Sequence, residues 1–116
     1  MTARIRQALD AITRIRGVHG AVLVSGDDGL VVAEALMEGV RGHAVAALAA
    51  SRFQRFRRAT EAAGAMAPEF LHLQATDGSL LVVPAANGVL IVAVAAADIN
   101  VGLARLEMIR AAEAFA

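Results

Sequence analysis

Two dipeptides, Asp77-Gly78 and Asn87-Gly88, stand between short apolar runs, and they constrain the fold more tightly than any other feature of the chain. Pairs of this kind favour tight turns, because glycine takes the positive φ that such turns require. The runs they join, residues 70–76, 79–85 and 89–96, therefore read as three strands of an antiparallel meander. The last run contains Val-Leu-Ile-Val-Ala-Val and is apolar on both faces. That pattern predicts a central strand with helices covering both of its sides. Pro84 has no amide proton, so the end of the middle strand is expected to be irregular or unpaired at that position.

Upstream the periodicity changes. Ile5, Ala8, Leu9 and Ile12 recur at helical spacing, opposite Arg6, Gln7, Asp10 and Arg14. This predicts an amphipathic first helix over residues 3–16, ended by Gly17. Residues 20–25 form a short apolar strand, Asp27-Asp28-Gly29 a hairpin turn, and residues 30–36 the returning strand. A glycine-marked loop over 38–42 leads into the longest helix, 43–63, with Gly64 placed to cap it. Asp98 or Asn100 starts the last helix, 100–115, which shows two apolar faces and is expected to pack on more than one side. The order is α-β-β-α-β-β-β-α in a single domain spanning 1–116, with no internal repeat, linker or low-complexity stretch.

The chain has 116 residues, 58% of them hydrophobic but only 3% aromatic. A domain this small has trouble hiding so much apolar surface alone, which points to a subunit interface. A membrane span is not expected. The longest apolar run, 89–97, falls far short of the ~20 residues a spanning helix needs. The start, Met-Thr-Ala-Arg-Ile-Arg, leads into an amphipathic pattern and does not suggest a secretory signal, so a cytoplasmic location is expected. Formal net charge is zero, which gives no whole-molecule field toward nucleic acid or anionic lipid. All eleven basic residues are arginine. Without lysine there is no Walker-type phosphate loop, Schiff base or pyridoxal-phosphate anchor. Without cysteine there is no disulfide and no thiolate chemistry.

The long helix carries the most informative asymmetry. On a helical wheel Val45, Ala49, Phe53, Phe56, Thr60 and Ala63 form the expected sheet-facing stripe. Ala46, Ala47, Ala50, Ser51 and Gln54 fall on the opposite side, where small residues would let a second helix approach closely. Alanine is also simply the best helix former, so the pattern has a plainer explanation. The run Arg52-Phe-Gln-Arg-Phe-Arg-Arg58 is the one charge cluster. It could meet an acidic partner surface, contact phosphates or supply an arginine finger; equally, it could be a solvated flank. Fingers usually come from loops, and nucleic-acid binding lacks both aromatic platforms and a positive overall field.

Catalytic constellations are not evident. Asp27-Asp28-Gly29 lacks the further oxygen ligands of a calcium loop. His19, His43 and His72 fall on different elements with no metal-ligand spacing. Ser25, Ser51 and Ser79 have no nucleophile-elbow context. Glu34, Glu38, Glu61 and Glu69 show no defensible pairing. The expectation is a protein that is not an enzyme, with no metal, no cofactor and no small-molecule substrate.

The element order, the first hairpin over residues 17–34 and the last helix over 100–115 together resemble the Roadblock family, the small α/β domains of dynein light chains and bacterial polarity regulators. The resemblance covers essentially the whole chain. It implies profilin-like layers, with a five-stranded antiparallel sheet between the long second helix and the two terminal helices. It also implies a dimer in which the long helices pack together and the third strands extend the sheet from one subunit to the other. Bacterial stand-alone members bind Ras-like GTPases and can stimulate hydrolysis; eukaryotic relatives serve dynein or hold GTPases on lysosomal scaffolds. The expectation is a homodimer, or a heterodimer with a paralogue, that binds a small Ras-like GTPase. Arg52, Gln54, Arg55 and Arg58 are the candidate platform residues, and Ala47, Ala50, Ser51, Leu71 and Leu73 the candidate dimer contacts. The alternative is a dimeric scaffold with no nucleotide-switched partner.

Overall fold

A computed structural model describes residues 2–64 and 66–115. The elements are α1 (Thr2–Thr13), β1 (Val18–Ser25), β2 (Val31–Leu36), α2 (Gly42–Ala62), β3 (Leu71–Ala75), β4 (Gly78–Pro84), β5 (Val89–Ala95) and α3 (Val101–Glu113), with a 3₁₀ turn at Ala86–Gly88. The order is the one the sequence predicts. The strands form one five-stranded sheet in the order β2-β1-β5-β4-β3, with every neighbouring pair antiparallel. β5 lies in the middle, as its two-sided apolar pattern requires.

Both faces of the sheet are covered. Leu9 and Ile12 of α1 and Met108 of α3 pack with Leu23, Leu81 and Ile91 on one face. Ala46, Ala49 and Phe53 of α2 pack with Val22, Val82 and Val92 on the other. Alternation along β5 supplies both cores: Ile91 and Ala93 enter the first, Leu90 and Val92 the second.

Local chemistry explains most boundaries. Asn87 (φ 64°) and Gly88 (φ 72°) take consecutive positive φ angles, as a tight hairpin turn demands, and the amide of Ala85 donates to the Val89 carbonyl at 2.8 Å. Gly29 (φ 73°) closes the first hairpin, where the Asp28 carboxylate accepts from the Leu30 amide at 3.1 Å. The Asn100 side chain caps α3 by accepting from the Leu103 amide at 3.0 Å.

Some boundaries move. α1 stops at Thr13, where the hydroxyl bonds back to the Asp10 carbonyl at 3.0 Å, and residues 14–17 turn the chain. β1 starts at Val18, two residues earlier than expected. The second turn is made by Thr76 and Asp77, and Gly78 opens β4 opposite Ala75 without a positive φ. Pro84 pairs with Leu90 as the last residue of β4.

The face assignment of α2 also changes. Its buried residues are Gly42, Ala46, Ala49, Ala50 and Phe53, so Ala46 and Ala50 belong to the sheet-facing side. The reason is volume. The sheet fills this layer with Val22, Val24, Val82, Leu90 and Val92, which leaves the helix room for small residues beneath its backbone. Ala63 is exposed, and Val45, Phe56 and Thr60 sit half-buried on the flank. On α3 a single face is buried, through Ala104, Met108 and Ala111, while Leu103 and Leu106 of the second apolar face remain 45% and 47% exposed.

Candidate interaction surface

α2 turns its other side outward. Ala44, Ala47, Leu48, Ser51, Arg55 and Arg58 are exposed there, with Arg52 on the adjoining flank. Ala44, Leu48, Ser51, Arg55 and Arg58 follow one another at alternating spacings of four and three, the pattern of a seam along a helix. Its first half is small or apolar and its second half basic. Leu48 is the single leucine of α2 and stands 46% exposed at the centre of the apolar half.

Beside this seam lies the edge strand β3. Leu71 and Leu73 point to the α2 side of the sheet and are half-buried. The packing of α2 is concentrated on β1, β2, β5 and β4, so the β3 margin is incompletely roofed. Leu48, Leu73, Leu80 and Val94 take part in lining a recess of about 320 Å³ at this margin. On the opposite sheet face His72 lies 3.3 Å from the hydroxyl of Ser79, a buried polar residue.

The arginine run splits by geometry. Arg52, Arg55, Arg57 and Arg58 are all exposed, and none forms an ion pair among the described residues, where Arg110 with Glu107 makes the salt bridge. Arg57 leaves the others and borders a recess shared with Phe53 and Gln54. Arg52, Arg55 and Arg58 make this half of the outward face basic despite the zero net charge of the chain.

Two of the expected site residues are placed elsewhere. The Gln54 amide donates to the carbonyls of Gly26 at 2.5 Å and Asp27 at 3.1 Å, tying α2 to the first hairpin. It holds the scaffold and does not stand on the outer platform. Ala50 is 4% exposed, and a Cβ built on Gly29 would lie 3.5 Å from its methyl group, so the hairpin covers it. Ala47, Ser51, Leu71 and Leu73 lie on or beside the open seam. Leu48 and Ala44 belong to it as well; a leucine between alanines on the outward face was the signal for them.

Among the described residues no group of three or more histidine, aspartate or glutamate side chains could hold a metal ion. No helix there is long and apolar enough to cross a membrane.

Comparison with known proteins decides what kind of domain this is. The family model of the Roadblock/LC7 domain matches residues 4–95. The chain belongs to the Roadblock/LC7 family. An uncharacterized protein of Methanocaldococcus jannaschii, MJ0714, is 35% identical over 94% of this chain and 91% of its own length. Among solved structures, Myxococcus xanthus MglB superposes with a TM-score of 0.85 at 18% identity, covering 97% of this chain and 84% of that one. A Roadblock/LC7 domain from Streptomyces avermitilis gives 0.83 at 20% identity, covering 92% and 90%. Profilin II of Acanthamoeba castellanii shares the layers more distantly, at a TM-score of 0.56 and 16% identity over 96% and 92% of the two chains. At these identities the solved structures speak for the fold: a Roadblock domain with profilin-like layering.

Proposed function

We propose that this Roadblock/LC7 domain is a homodimeric regulatory module that binds a small Ras-like GTPase in its GTP-bound form and promotes hydrolysis without chemistry of its own. One observation carries the reading: on α2 an open apolar half-seam continues into Arg55 and Arg58, with Arg52 on the adjoining flank, all exposed and without an ion-pair partner among the described residues. The apolar half suits a second copy of the chain. Ala44, Ala47, Leu48 and Ser51 allow close helix approach, and Leu71 and Leu73 supply the neighbouring apolar margin. β3 presents an outer edge with no charged residue in its Leu-His-Leu-Gln-Ala sequence. An MglB, 24% identical to this chain, has been solved in a tetrameric arrangement, which supports self-association within this fold.

Antiparallel pairing of two α2 helices around Leu48 sets the apolar halves together and carries the basic halves outward in opposite directions. Crossing nearer Arg55 would oppose like charges, so electrostatics favours the first arrangement. The dimer then presents Arg52, Arg55 and Arg58 of each subunit flanking the paired helices, a basic surface complementary to an acidic switch region of a GTPase. Stabilising the GTP-bound conformation of that region would speed hydrolysis by population shift.

Charge reversal tests the assignment. Arg55→Glu with Arg58→Glu is expected to weaken GTPase binding at least tenfold, about 1.4 kcal/mol, while the chain still sediments as a dimer. Unchanged affinity in a titration with the GTP-loaded partner removes these arginines from the site. A dimeric scaffold would show partner binding that ignores the nucleotide.

A further inference from the structure

The sheet has two free edges, and they differ in regularity. Along β3 the pairing with β4 runs one residue to one, from Leu71 opposite Val82 to Ala75 opposite Gly78. Along β2 the pairing with β1 runs regularly from Leu36 opposite Gly20 to Ala33 opposite Leu23, and then jumps to Val31 opposite Val24. Val32 is the extra residue. It has no partner on β1, and it stands 54% exposed. A bulge of this kind bends the strand, sharpens the local twist and breaks the even spacing of outward amides and carbonyls that an incoming strand must match. What remains regular is Ala33 to Leu36, with Glu34 inside it, an exposed residue whose carboxylate lies against Gly42 at the start of α2.

We infer that the Val32 bulge is an assembly stop: it keeps a second copy of this chain from adding to the β2 edge, so that edge-to-edge growth ends at one junction. That the open junction is the β3 edge rests on the dimer reading above; that β2 is closed rests on its register alone. The need for a stop is physical. A sheet joined at one edge still offers its far edges, and a chain this rich in apolar residues, Leu30, Val32 and Met37 among the exposed ones, would otherwise polymerise through them.

Deleting Val32 restores one-to-one pairing and is the direct test, with Glu34→Gln made separately in the full chain. Sedimentation velocity over a range of concentrations is expected to show the deletion variant at no less than twice the mass of the wild type, rising with concentration, and Glu34→Gln at the wild-type mass. A folded deletion variant, confirmed by circular dichroism, with the wild-type mass distribution overturns the inference. So does extended assembly of Glu34→Gln alone, which would assign the stop to charge. If the wild type is a monomer, the β3 junction is wrong, yet the step from monomer to dimer on deletion still decides the role of the bulge. Should the deletion prevent folding, hydrogen exchange on the wild type decides it: β2 amides keep the same exchange rates from dilute to concentrated solution, and protection gained there with concentration overturns the stop.

Discussion

Leu48→Arg is expected to convert the protein into a monomer without loss of fold. Leu48 is 46% exposed in the single chain and sits outside both buried clusters, so the core has little stake in it. In a twofold-symmetric pair each substitution enters the interface twice, and both copies fall near the axis. Two guanidiniums would then be desolvated against each other with no carboxylate among the seam residues Ala44, Ala47 and Ser51 to receive them. An unpaired buried charge costs several kcal/mol, against about 8.2 kcal/mol for an entire micromolar association. Sedimentation equilibrium should give the mass of one chain for the variant and of two for the wild type. Circular dichroism should leave the two alike. A Leu48→Arg protein that remains dimeric places the interface elsewhere.

Ile91→Ala is expected to cost about 2–5 kcal/mol of folding stability, a large share of the roughly 5–15 kcal/mol available to a domain of this size. Ile91 is fully buried on the central strand, opposite Leu23 of β1 and Val83 of β4, in one buried cluster with Met108 of α3. Its removal leaves a cavity that the sheet, paired on both sides at this point, has little freedom to close. Leu103→Ala makes the contrast. Leu103 projects from the open face of α3, and its loss should change stability by no more than about 0.5 kcal/mol. Denaturant melts of the two variants check both figures. Equal losses would mean that the second face of α3 is covered in solution.

What the sequence makes legible here is what local chemistry determines. Asn87 and Gly88 announce their turn because only certain residues accept paired positive φ, and Asn100 announces its helix because a free amide needs an acceptor. The central place of β5 follows from apolar residues on both of its faces. The Roadblock fold is therefore recoverable from pattern and turn residues.

The errors come from relations the local pattern does not encode. Alanine suits a sheet beneath a helix as well as a second helix above it, so the wheel gave Ala46 and Ala50 the wrong side. The choice depends on how much volume Val22, Val82 and Val92 bring from strands distant in sequence. Gln54 resembles a surface residue until its bonds to Gly26 and Asp27, 28 and 27 residues away, are seen. Val32 is invisible as a bulge because an extra valine in an apolar strand leaves no mark. The candidate surface was legible in composition, as an arginine run beside small residues, while Leu48 at its centre required the observed phase of the helix.

The proposed function requires this surface to read the nucleotide state of a small GTPase. The most direct measurement is affinity capture on the immobilised protein, with source lysate supplied with a non-hydrolysable GTP analogue or with GDP, followed by mass spectrometry and repeated with the Arg55→Glu, Arg58→Glu variant. A small GTPase is expected to be retained with the analogue, lost with GDP and lost from the charge-reversed variant. A GTPase held equally in both nucleotide states, or none held in either, contradicts it.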